Sequence, residues 1–183
     1  MTIHARVALP DPEELSDSGR EVLQSILSTR GNLDGPFLAW LHSPEFASRA
    51  ERLGAFCRYE TQLSALESEL LILIVAAHYR CTAEWQIHFP IAQRTGLDAK
   101  TTEAIRIGAT PVLLGARHAH LHAFASELLS QNRVSDRTFE DARCDFSVKE
   151  LVEVVGILGY YSLVALTLNS FEVRLEDRGK PFD

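Results

Sequence analysis

Basic residues never form a run in this sequence, and they are outnumbered. Eighteen lysines and arginines face 25 aspartates and glutamates, for a formal net charge of -7. A cationic stripe tracking phosphates is therefore not expected, and nucleic acid is excluded as a partner. Long apolar runs are also missing. The longest, Leu70 to Ala77, has eight residues, whereas a helix crossing a bilayer needs about 20, so no membrane partner is expected. The N-terminal stretch has no basic segment followed by an apolar one, which argues against a secretory signal. Cysteine is reduced to Cys57, Cys81 and Cys144. An odd number without a signal does not suit a disulfide framework and points to a reducing, cytoplasmic location. Period-two alternation is scarce as well. The single Asp-Gly pair, Asp34-Gly35, precedes a proline and reads as a loop rather than a hairpin.

What remains is helical pattern nearly throughout. The 183 residues, 46% of them apolar, suit an irregular arm over 1–17 followed by one all-α domain over 18–183. Pro10 and Pro12 oppose regular structure in the arm. Ser16 or Ser18 caps a helix over about 18–29, and Gly31 to Pro36 form a loop. Phe37, Trp40 and Leu41 share helical spacing. Ser43-Pro44 pairs a capping serine with a proline at the first helical position, starting a helix to about Tyr59. Ser64 and Glu67 make a capping box before the apolar helix 65–78. A helix over about 82–95 ends at Gly96. Asp98 caps a short helix through Ile107, Pro111 breaks the chain, and a long helix runs to about Gln131. Ser135 caps a short segment. Ser147 and Glu150 repeat the capping box before a final apolar helix, 148–172.

The segment from Glu69 to Val75 resembles that from Glu150 to Gly156. At this offset Cys81, Glu84 and His88 fall opposite Ser162, Ala165 and Asn169. Two readings stand: a degenerate internal duplication whose second copy lost its reactive groups, or two buried helices that look alike.

Cys81, Glu84, Trp85 and His88 are spaced i, i+3, i+4 and i+7, so a 3.6-residue period places all four on one helix face. A thiol, a carboxyl and an imidazole on one stripe are costly to bury without partners. Glu69 is the natural fourth member. In one unbroken helix it would lie about 18 Å from Cys81, at 1.5 Å per residue. If the chain turns between His78 and Cys81, the two helices pack as a hairpin and Glu69 meets His88, its carboxylate orienting the imidazole. The same turn puts Cys81 at a helix N-terminus, where the dipole is expected to lower a thiol pKa. The bland reading stands beside this one: Cys81 as a small buried hydrophobe, and Glu84 with His88 as a surface pair.

The spacing Glu69-x11-Cys81-x2-Glu84-Trp85-x2-His88, followed by Pro90-Ile91-Ala92 and Gly96-Leu97, resembles the core signature of the carboxymuconolactone decarboxylase family, which also includes alkyl hydroperoxidase D. Leu41-His42-Ser43-Pro44, Glu150-Leu151-Val152-Glu153 and Gly159-Tyr160-Tyr161 are similar to one branch of it, so the likeness runs from about Gly35 to Val173. The resemblance implies an alkyl hydroperoxidase D-like bundle of packed helices, in dimers, trimers or hexamers with sites near subunit interfaces. It also implies a small-molecule substrate and no cofactor or metal. In the hydroperoxidase branch a glutamate, a Cys-x-x-Cys pair and a histidine match Glu69, Cys81, Glu84 and His88, so the second cysteine, which attacks peroxide there, is replaced by Glu84. Cys57 or Cys144 can stand in only if folding brings one close. The lactone decarboxylase branch needs no dithiol and carries a carboxylate and a histidine matching Glu84 and His88. Decarboxylation needs a proton donor for the carbanion or enolate that forms, and a histidine or a desolvated carboxyl supplies one.

Trp85 and His78 are candidates to wall a pocket, and Arg80 and Arg58 to hold an anionic substrate. Structural roles compete for each. Trp85 suits a core or a subunit interface, and His78 or His42 suits simple packing. His118 and His122 are i, i+4, but no His-Glu-x-x-His pattern or third ligand accompanies them, so a solvated face is the preferred reading. Gly159-Tyr160-Tyr161 reads as close packing with two phenols seeking partners. Three functions compete. One is a cofactor-free enzyme acting on a small lactone or carboxylic acid through His/Glu acid–base chemistry. The second is a thiol-dependent hydroperoxidase. The third is a decayed binding or assembly protein, which predicts Glu84 and His88 bathed in solvent with no adjoining cavity.

Overall fold

The computed structural model describes residues 3–113, 115–175 and 180–182. Helices form where caps and apolar periods predicted them. Helix α1 (Asp17–Arg30) opens on Ser16, whose side chain accepts from the Gly19 amide, and closes on left-handed Gly31. The short α2 (Phe37–Trp40) leads into α3 (Pro44–Tyr59). Here one expectation fails: Ser43 precedes the helix but makes no side-chain cap bond. Its ψ of 83°, against 158° at the capping Ser64, turns the hydroxyl away from the first-turn amides.

Helix α4 (Ala65–His78) carries the predicted capping box, with Ser64 and Glu67 bonding each other's backbone. Its apolar residues face no single side, because Leu70 to Ala76 are buried in an unbroken run. That is the pattern of a helix enclosed by the bundle. It ends at a left-handed residue, Arg80 (φ 48°), where the Cys81 amide reaches back to the Ala76 carbonyl at 2.8 Å in a Schellman-type closure. That reversal starts α5 (Thr82–Thr95), which ends on left-handed Gly96. Helices α6 (Ala99–Arg106), α7 (Ala116–Gln131) and α8 (Asp136–Arg143) follow, the first and last capped by the side chains of Asp98 and Ser135 and α7 preceded by Gly115. The last helix, α9 (Val148–Ser170), repeats the capping box at Ser147 and Glu150 and also ends at a non-glycine left-handed residue, Glu172. A two-residue antiparallel pairing of β1 (Ile3–His4) with β2 (Arg174–Leu175) ties the N-terminal arm to the chain beyond α9.

Helix α4 sits at the centre, packed on α5, α9, α7 and α6. Helix α9 is long and apolar enough to cross a membrane by length and composition. Here it packs against α4 and α3 and buries Glu153, whose carboxylate accepts from the Gln62 amide at 2.7 Å. The two alike helices thus lie against each other, and one arginine binds both capping boxes: Arg117 donates to Glu67 at 2.6 Å and to Glu150 at 2.8 Å and covers the Phe146 ring at 3.9 Å.

Candidate active site

The α4–α5 hairpin brings Glu69 and His88 together. The chain reverses between them, so a residue on the second turn of α4 faces one on the second turn of α5. His88 Nδ1 lies 2.9 Å from Glu69 Oε2. The other oxygen of Glu69 accepts from Arg58 of α3. One turn earlier on α5, Glu84 Oε1 lies 3.2 Å from His88 Nε2. The imidazole is therefore held at both nitrogens by carboxyls, and the edge-on ring of Tyr161 on α9 stands 5.3 Å from it.

The two carboxyls are driven apart electrostatically. Burial alone would raise Glu69, which is 1% exposed, but the hydrogen bond and charge of His88, joined by Arg58, outweigh it and leave the carboxyl below the usual range. Glu84, 2% exposed, is raised: burial dominates, His88 opposes it, and the Glu69 charge pushes it further up. Glu69 thus holds the imidazole at Nδ1, and Nε2 faces the carboxyl of Glu84, whose burial favours its protonated form. The row Arg58, Glu69, His88, Glu84 ends in a carboxyl whose burial favours the protonated form. Two carboxyls with opposite shifts on one histidine form an arrangement suited to acid–base chemistry.

Glu84 and His88 open onto a cavity of about 480 Å³. Arg30 and Phe37 line it from around α1 and α2, Arg58 from α3, and Tyr160 and Tyr161 from α9. Arg30, Tyr160 and Tyr161 were not expected there. Arg30 ends a helix just before a glycine, a position where any basic residue complements the dipole, so its sequence gives no hint of a site. The tyrosines do pack closely, as their pattern suggests, and they also wall the cavity.

Other expected site residues lie elsewhere. Cys81 is fully buried and does not line the cavity. Its thiol corrects the expectation of an activated cysteine. Burial, reinforced by the Glu84 charge, pushes it up to about 12, and the amides of Glu84 and Ala83 only partly oppose this. Desolvation outweighs the helix N-terminus. Cys57 is likewise buried and raised to about 11, and Cys144 is exposed; all three thiols are free. Trp85, His78 and Arg80, expected to contact substrate, do not line this cavity. Trp85 stacks on Phe89 at 6.0 Å and meets Phe182 edge-on at 5.4 Å. Arg80 bonds the Phe182 carbonyl. His78 packs edge-on against Tyr79 at 4.8 Å and borders a separate hollow of about 280 Å³ with His122 and Ser126. His42 contacts the Ala8 carbonyl at 2.9 Å. The histidine cluster on α7 disperses: His120 pairs with Asp145 at 2.7 Å, and His122 lies 3.4 Å from the Ser126 hydroxyl.

No protein-family model matches the chain, and no curated protein matches it. Solved structures do. An alkyl hydroperoxidase D core from Ralstonia eutropha, described as an uncharacterized peroxidase-related protein, superposes with a TM-score of 0.79 at 17% identity, covering 94% of this chain and 93% of that one. An uncharacterized peroxidase-related protein from a Silicibacter species gives 0.78 at 16% identity, covering 93% and 91%. The debrominase Bmp8 gives 0.73 at 15% identity, covering 94% and 92%. The fold is therefore the alkyl hydroperoxidase D-like helical fold.

Proposed function

We propose that this alkyl hydroperoxidase D-like chain is a cofactor-free acid–base enzyme acting on a small lactone or carboxylic acid, in the manner of the carboxymuconolactone decarboxylases. The single observation that carries the reading is the row Arg58–Glu69–His88–Glu84, ending in a raised carboxyl that lines a cavity.

In a decarboxylation, the carbon–carbon bond to the carboxylate breaks and its electron pair passes into the adjoining conjugated carbonyl as carbon dioxide leaves. The carbon must then take a proton. Glu84 lies at the cavity wall to give that proton, positioned by His88 and Glu69, and solvent returns a proton to Glu84 after the product leaves. The general-acid role needs no thiol, in keeping with the buried Cys81.

The hydroperoxidase reading has less support. It requires a reactive thiolate, and the Cys81 thiol is inaccessible and pushed up to about 12. The decayed-protein reading expects Glu84 and His88 in solvent, whereas both are buried beside a cavity.

The test is carbon dioxide release from carboxymuconolactone and related unsaturated lactone acids. His88→Ala is expected to lower kcat by about 100-fold or more, the usual range for a general acid–base group. An unchanged rate in that variant, with native circular dichroism, overturns the reading.

A further inference from the structure

The cavity carries a charge that the proton row does not use. Three guanidiniums line it: Arg30, Arg58 and Arg94. Arg58 is neutralised by Glu69. Arg94 is exposed at the rim, where half-buried Asp34 also borders the cavity. Glu84 is the remaining acidic lining residue, and burial favours its neutral form. Arg30 has neither a carboxylate partner among the described residues nor a hydrogen bond from its Nε and Nη2, and, unlike exposed Arg94, it holds both of these atoms buried.

Those two atoms are not an arbitrary pair. Nε–H and Nη2–H lie parallel on one edge of the guanidinium, the edge that grips a carboxylate side-on with two bonds. One face of the group is covered by the Phe37 ring at 4.8 Å, which fixes its plane. Tyr160 and Gly54 flank it, since a Cβ on Gly54 would stand 2.7 Å from Nη2 and 2.1 Å from the Tyr160 hydroxyl. Buried donors left unpaired are costly, so a shift of this edge away from Gly54 toward an anion in the cavity regains that free energy.

We propose that Arg30 is the substrate-recognition residue of this cavity, gripping a carboxylate of a small organic acid with its Nε/Nη2 edge while Glu84 and His88 face the rest of the molecule. The buried, unpaired guanidinium asks for an anionic group, so a neutral ligand leaves it unpaired. The inference rests on the reading of this cavity as the substrate site, and it adds the residue and charge that decide what enters.

The test uses benzoate and benzamide, which share a shape and differ in charge, with binding followed by calorimetry and ligand-observed NMR at low salt. The wild-type protein is expected to favour benzoate by about 10-fold or more, the lower end of what a charge-assisted bidentate contact contributes. Arg30→Gln should abolish the preference. Arg30→Lys, which keeps the charge without the fork, should retain only part of it. Arg94→Gln should leave it nearly unchanged. His88→Ala should still favour benzoate even where turnover is lost, which separates recognition from chemistry. Conversely, an active His88→Ala would defeat the acid–base reading and leave the benzoate preference standing. Equal affinity for the two probes in wild type, no benzoate binding at millimolar concentration, or a preference that survives Arg30→Gln but vanishes in Arg94→Gln overturns the inference. A thermal unfolding curve of each variant shows that it remains folded.

Discussion

Glu84 Oε1 and His88 Nε2 lie 3.2 Å apart, one helical turn from each other and both nearly closed to solvent. This contact asks for one proton rather than none. A carboxylate there, with the charge of Glu69 on the far side of the ring, would be a buried anion beside another.

The pair makes activity and stability move in opposite directions. Glu84 is raised in the folded protein, so its contribution to stability is fully present below the ordinary glutamate range and is lost as pH rises through the folded value. Glu84→Gln keeps a hydrogen-bond donor and removes the titration. It should abolish turnover while raising Tm at neutral pH, by about 3 °C for each kcal/mol regained in a chain of this size. The gain should vanish as pH falls toward the ordinary glutamate range. Differential scanning calorimetry at pH 4.5 and pH 7.5 would show this, and a Tm lowered at both pH values would count against a neutral Glu84.

Glu69 is shifted the other way. Its contribution is present above the ordinary glutamate range and is lost as pH falls through the lowered folded value. Glu69→Gln leaves Arg58 without its buried partner, a loss of about 3 kcal/mol or more at neutral pH. Urea unfolding should report it, and the defect should shrink in acid.

Thiol accounting gives a separate check. Cys57 and Cys81 are buried and raised to about 11 and about 12, whereas Cys144 is exposed. In native protein one cysteine should react quickly with Ellman's reagent, releasing one equivalent of thionitrobenzoate, and the other two only on denaturation. Two fast equivalents at neutral pH, together with peroxide consumption that Cys81→Ser abolishes, would revive the hydroperoxidase reading.

Gly54 lies where no side chain fits, since an added Cβ would approach the Tyr160 hydroxyl to 2.1 Å. Gly54→Ala should cost about 1–3 kcal/mol through overpacking, more than the propensity that alanine gains. It should also disturb the cavity through Tyr160 and Arg30. Combining it with Tyr160→Leu should remove much of the added cost, which a double-mutant cycle on Tm would measure.

Where α4 and α9 begin, the hydrogen bond from Arg117, helped by the Ser147 amide, lowers Glu150 to about 2. Folding stability should therefore fall as pH drops from about 4.5 toward about 2. Arg117→Gln should flatten that part of the acid unfolding profile.

Much of this molecule could be read along the chain because its signals are local. The capping boxes at Ser64 and Ser147, the caps at Ser16, Asp98 and Ser135, and the left-handed Gly31 and Gly96 depend on neighbours within one turn. Counting residues to either side of the reversal at Arg80 was enough to pair Glu69 with His88. Tertiary packing decided everything that depended on which groups share a buried space. It submerged Cys81, so desolvation overrode the helix dipole. It turned Trp85, His78 and Arg80 away from the cavity, and it delivered Arg30 from α1 and the two tyrosines from α9 to one wall. Capping and periodicity act through covalently near atoms, whereas burial and charge pairing arise from segments that meet only once the bundle closes.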